Sequence, residues 1–240
     1  MPTLFVIIAI LLFGAALVLW IRFRAYRYAV VLFAGLLTSA FDPLWQSLYG
    51  LTYPASASAF MLWERPVPQF AVMCASWLLT LPAIITYFGG RRRWWPRHYL
   101  TGIIAFVAFI LYHIIIQGLA RRTGLWDYAS STAAAWGLNY NLFIATLSAL
   151  ISLLVYYMLV ATRFYPPETA APTLIVGVVL APPLVYGILG APYWLPLITD
   201  QSPNIVRIGT LVTLLMVAWV AHLACWGMHA SRRQLVLTNE

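Results

Sequence analysis

Asp42 lies in Ala40-Phe41-Asp42-Pro43-Leu44-Trp45, inside a long apolar run. It sits about two turns from the end of that run, at the rise of an α-helix. A carboxylate at the centre of a membrane span costs about 2.5–3.5 kcal/mol on insertion scales, and less near the boundary. Something must offset that cost: an arginine partner, a role in capping the helix restarted at Pro43, or a function. Glu64 stands in Trp63-Glu64-Arg65-Pro66-Val67-Pro68, where tryptophan and proline hold the loop in the membrane interface. A carboxyl among indoles keeps its proton more readily and can donate it. Asp127 stands in Arg121-Arg122-Thr123-Gly124-Leu125-Trp126-Asp127-Tyr128. That stretch reads either as a headgroup anchor with an Arg–Asp pair, or as an aromatic wall carrying one acid. Aromatic faces attract cations, so such a wall suits carbocation chemistry. These features make Asp42, Glu64 and Asp127 the candidate acids. Trp45, Trp63, Arg65, Arg121, Trp126, Tyr128, Asp200 and Arg207 are the candidate substrate contacts. The acids and aromatic residues are expected to converge in one pocket with at least one of Arg65, Arg121 or Arg207.

The elements that position these residues follow from composition. Of 240 residues, 63% are apolar and 8% charged, with a mean hydropathy of +0.86. An ordinary soluble domain carries about 25% charged residues, so the fold class is an all-α, polytopic membrane bundle in a single domain. Seven runs can cross a bilayer core of about 20 residues: roughly 3–21, 28–48, 67–89, 100–119, 138–162, 170–190 and 204–229. The first has no basic region before it and no cleavage site after it, so it reads as a retained helix. The sixth is interrupted by Gly177, Pro182, Pro183, Gly187 and Gly190, which predicts a kink against its neighbours. Ser202-Pro203 is a helix start.

The charge count excludes several functions. All 14 basic residues are arginine. A chain without lysine forms no retinal Schiff base and has no P-loop. The net charge of +8 comes from arginines flanking apolar spans, which points to lipid headgroups as partners and not to nucleic acid. With the first connection placed inside, ten arginines are cytoplasmic and four are outside; Arg91-Arg92-Arg93-Trp94-Trp95-Pro96-Arg97 forms an inner anchor. This split predicts an outside N-terminus and a cytoplasmic C-terminus, in a bacterial inner membrane. Asp42, Glu64, Asp127 and Asp200 then all fall at the outer face.

Cys74 and Cys225, both in apolar runs, read as inert thiols. His113 and His222 differ in depth by about 8 Å at helix rise, which argues against a shared haem. His98 and these deeper histidines lie away from the acids, which argues against a di-iron cluster. The histidines read as packing residues with hydrogen-bond partners. No metal and no cofactor is expected.

Two stretches look alike. Gly50-Leu51-Thr52-Tyr53-Pro54-Ala55-Ser56 leads to Trp63 and Phe70, and Gly124-Leu125-Trp126-Asp127-Tyr128-Ala129-Ser130 leads to Trp136 and Phe143. The arrangement resembles the membrane-integral lycopene-cyclase-type proteins of carotenoid and terpenoid biosynthesis. Those are duplicated multi-helix units with an acid late in a span, a Gly-x-Trp-x-Tyr-like stretch and a Pro-x-Glu-Glu-x-x-Phe-like helix start. Asp42, Gly124-Leu125-Trp126-Asp127-Tyr128 and Pro66-Val67-Pro68-Gln69-Phe70 stand at these elements. In place of the double Glu are Gln69 and, in the second copy, Asn139-Tyr140-Asn141. The resemblance implies a membrane enzyme acting on a long apolar isoprenoid or lipid, cyclising or isomerising it by protonating a double bond or epoxide. Its partners would be membrane lipid and an apolar small molecule. The alternatives are a non-catalytic subunit of a larger complex and a small-solute transporter. The lack of an acid at the bilayer midplane disfavours the transporter.

Overall fold

The computed structural model describes residues 2–54, 59–91, 99–128 and 140–237. Seven helical spans are long and apolar enough to cross a membrane: Pro2–Phe23, Arg27–Tyr49, Gln69–Gly90, Tyr99–Arg122, Asn141–Phe164, Pro167–Leu189 and Pro203–Met228. The architecture is that of an integral membrane protein. Each span lies within a few residues of the run expected from sequence. Much of the inner anchor, together with His98, Ser56, Ser130, Trp136 and Asn139, lies outside the described residues.

Span one is a single helix, α1 (Pro2–Phe23). Span two is broken into α2 (Arg27–Leu37), a 3₁₀ turn (Thr38–Phe41) and α3 (Asp42–Tyr49). The cause is Pro43, which has no N–H to give the ladder and crowds the carbonyl four residues before it. At the break, the Thr38 and Ser39 hydroxyls donate to the carbonyls of Gly35 and Leu36, at 2.6 and 2.7 Å. Asp42 therefore opens a restarted helix.

Span three breaks in the same way before Pro82, into α4 (Gln69–Leu78) and α5 (Leu81–Arg91). Backbone groups freed inside an apolar layer need protein partners. Ser152 supplies one, donating to the Leu79 carbonyl at 2.7 Å. That hydroxyl then accepts from His113 Nε2 at 3.0 Å, so the network fixes the His113 tautomer. His222 likewise pairs with the Tyr99 hydroxyl, at 2.7 Å. Each of these histidines has a hydrogen-bond partner, His113 in a buried and His222 in an exposed position.

Span four is α6 (Tyr99–Arg122) and span five is α7 (Tyr140–Ala161), extended by a 3₁₀ turn. Span five is the central post. Of its apolar window 72% is buried, against 17–50% in the other six, because α7 packs on α5, α6, α8 and α10 at once. Span six is α8 (Pro167–Pro182) followed by a π-helical segment, Pro183–Leu189. A short α9 (Ala191–Ile198) then packs on α10 (Pro203–Leu237). At that contact Gly209 lies against the Pro192 carbonyl with no room for a Cβ. The Arg27 guanidinium donates to the carbonyls of Thr162, Arg163 and Tyr165 at 3.1–3.2 Å, tying α2 to the C-terminal end of span five, where a helix favours positive charge.

Four short strands lie at the loop end near Asp42. β1 (Leu51–Thr52) pairs antiparallel with β4 (Asp127–Tyr128), with Leu51 opposite Tyr128 and Thr52 opposite Asp127. β2 (Ala59–Leu62) and β3 (Arg65–Pro68) form a hairpin. The all-α expectation therefore needs this small correction. The two stretches that look alike in sequence meet each other through the β1–β4 pair. Gly50 and Gly124, at equivalent places, both adopt left-handed backbone, with φ of 62° and 64°.

Candidate functional site

A cavity of about 750 Å³, its open mouth included, lies among spans two to six. Among the described residues, Asp42 is its one carboxylate, and no arginine or histidine lines it. The restarted helix α3 aims Asp42 and Trp45 into the space; α4 brings Cys74, α6 brings Gln117, and the π-helical segment brings Tyr186.

Both Asp42 oxygens accept hydrogen bonds. The Tyr53 hydroxyl donates to Oδ1 at 2.8 Å, and the Gln46 amide donates to Oδ2 at 3.1 Å. Gln46 also donates to the Pro66 carbonyl at 3.2 Å. That carbonyl can only accept, so it fixes which end of the amide faces Asp42. A carboxyl group offers about four acceptor sites; two are used here, and the others are left for a proton or a ligand. No arginine pairs with Asp42 among the described residues, so of the ways to offset its burial, the ion pair is absent.

The opposite wall is built by the end of α6. Leu125 N–H bonds to the Ala120 carbonyl and Gly124 N–H to that of Arg121, at 2.9 and 3.1 Å. With Gly124 left-handed, this is a Schellman motif, and it turns the buried Leu125 back onto the helix. Trp126 and Tyr128 then follow into the cavity. The buried Gln117 side-chain oxygen accepts from Trp126 Nε1 at 2.9 Å and from the Tyr128 hydroxyl at 3.2 Å. On the near side, the Trp45 ring lies 5.0 Å from that of Tyr186. The Tyr186 hydroxyl meets Ser148 at 2.7 Å, and its carbonyl accepts from Tyr49 at 2.6 Å. Burial pushes the Tyr53 phenol well above the usual tyrosine range, and the neighbouring Asp42 adds to the shift. Burial also raises the Tyr128 phenol, helped by Tyr186 and opposed by its bond to Gln117. Both phenols are therefore neutral donors at any physiological pH.

The expected convergence of acids is met by Asp42 alone. Of the other candidates, Trp45, Trp126 and Tyr128 line the cavity. Trp63 and Glu64 occupy the two-residue turn of the β2–β3 hairpin, at φ 47° and 64°. Positive φ at both central residues is the turn whose twist matches the strands, and it carries both side chains, with Arg65, out into exposed positions. Asp127 points away from the cavity: its carboxylate pairs with Arg121 Nε at 2.8 Å, the two side chains being 62% and 39% exposed. Arg121 also donates to Asn141. Asp200 is exposed at the end of α9, and Arg207 is half-buried on α10 beside Asn204. Neither lines the cavity.

Sequence reasoning passed over Gln46, Tyr53, Gln117 and Tyr186. Gln117 carried a usable signal, since it is a polar side chain inside an apolar span, as Asp42 is. Tyr186 follows the Pro182-Pro183 pair, but nothing local says that the helix widens there. Comparison with known protein families, with characterised proteins and with solved structures finds no match.

Proposed function

We propose that this chain is an integral membrane enzyme that protonates a double bond or epoxide of an apolar isoprenoid, with Asp42 as the acid. One observation carries the reading: among the described residues, a single carboxyl, unpaired with any cation, faces an aromatic cavity within a membrane-spanning bundle. In the step, the Asp42 O–H bond breaks as the alkene π pair forms a C–H bond, or as an O–H bond forms on the epoxide oxygen and one epoxide C–O bond opens. Positive charge develops on substrate carbon, and the faces of Trp45, Tyr186 and Tyr128 stabilise it. The donors Tyr53 and Gln46 stabilise the carboxylate left behind, and such preorganised donors act most strongly on charge that appears in the transition state. Loss of a proton from a neighbouring carbon to Asp42 re-forms its O–H bond and restores the resting state. Glu64 and Asp127, at exposed positions, take no part in this step.

The Asp42→Asn variant, expressed in a host that makes polyprenoids, tests the assignment. It leaves no cation unpaired, so the variant should insert and melt as the parent does while the change in polyprenoid or pigment profile disappears. A profile like the parent's would remove Asp42 as the acid. For orientation, the arginine split supports an outside N-terminus in a bacterial inner membrane. A phosphatase reporter fused after Glu240 should then be silent, and activity of that reporter would reverse the topology.

A further inference from the structure

We infer that the cavity beside Asp42 is a binding site for a hydrophobic organic cation of the ammonium type. The inference concerns the ionised form of Asp42, whose O–H form is the acid of the proposed reaction, and it does not depend on turnover. It rests on what the walls offer and what they lack. Asp42 keeps free acceptor positions after receiving Tyr53 and Gln46. Among the described residues, no basic side chain lines the space to compete for the carboxylate. The Trp45 and Tyr186 rings lie 5.0 Å apart, tilted at 57°, and Trp126 and Tyr128 also line the space. Hydrogen bonds fix three of these rings: Trp126 and Tyr128 to Gln117, and Tyr186 with Ser148.

Aromatic faces with one carboxylate are the chemistry that recognises alkylammonium groups, Trp being the strongest partner. An anionic ligand meets the opposite: Asp42 repels it, and the nearby Arg121 is already engaged by Asp127 and Asn141. A phosphate or diphosphate group is therefore excluded from the interior. A neutral ligand of the same shape gains the burial but not the attraction to carboxylate and rings.

The test uses the full chain in a non-ionic detergent and reads quenching of tryptophan fluorescence. The probe is benzyltriethylammonium, with benzyltriethylsilane as its neutral isostere and benzenesulfonate as an anion. The ammonium should bind at least tenfold more tightly than the silane, and the sulfonate should not bind. Asp42→Asn should weaken the ammonium at least tenfold and leave the silane unchanged. Trp45→Leu should weaken it as well, and that variant with the isostere comparison keeps the test decisive if Asp42→Asn fails to fold. Equal binding of ammonium and silane to the parent protein, or full ammonium binding by a folded Asp42→Asn, overturns the inference. Ammonium binding without any change in host polyprenoids would leave this site standing and defeat the proposed reaction. Product formation without ammonium selectivity would do the reverse.

Discussion

Replacing Gln117 with Leu should test whether the far wall of the cavity is held as described. The Gln117 side chain is 3% exposed, and its oxygen is the acceptor for both Trp126 Nε1 and the Tyr128 hydroxyl. Leucine has nearly the same size and suits the apolar surroundings, but it leaves two donors without their acceptor. An orphaned buried donor costs about 1–3 kcal/mol. Side-chain hydrogen bonds measured within membrane proteins average about 0.6 kcal/mol, with a maximum near 1.7. Taking about 1–1.5 kcal/mol for each donor where the two ranges meet, the pair amounts to about 2–3 kcal/mol. For a chain of this length that is a fall in Tm of about 4–12 °C, read by thermal unfolding in detergent. The Leu variant should also lose tryptophan quenching by benzyltriethylammonium, since Trp126 and Tyr128 are no longer held. A Leu variant that melts within 1 °C of the parent would refute the argument, because the two donors would then have other acceptors.

Asp127→Asn removes one charge of a largely exposed ion pair, so its stability should change by less than about 1 kcal/mol and its product profile should not change. Loss of product by a stable Asp127→Asn would restore Asp127 as an acid. Gly209→Ala places a methyl group against the Pro192 backbone and should cost about 1–3 kcal/mol through overpacking, measured as a lower Tm. An unchanged Tm would show that α9 is not seated on α10 as described.

The membrane bundle was legible without any structure. Seven apolar runs with flanking arginines leave a chain of this composition no other economical fold, since backbone groups in lipid must be satisfied within helices. Asp42 was also legible, because a carboxyl in an apolar run has a cost wherever the run is placed. The same logic extends to Gln117, whose position in α6 carries the same kind of signal. Pro43 and the 182–183 pair announced breaks, and spans two and six break beside them; the break before Pro82 in span three came from the structure.

What surrounds Asp42 was decided by tertiary structure. Glu64 and Asp127 look equivalent to it in composition, yet a turn at Trp63-Glu64 and an ion pair to Arg121 take both out of the cavity. Positive-φ turns and loop ion pairs depend on which strands meet, and the β1–β4 pairing joins segments 75 residues apart. Tyr53 reaches Asp42 because Gly50 reverses the chain after α3, and Tyr186 reaches Trp45 because a π-helical segment rotates it there. Periodicity along one chain reports which side of a helix is apolar. It does not report which helix stands opposite, so one acid at the head of a helix was readable, and the aromatic cage around it was not.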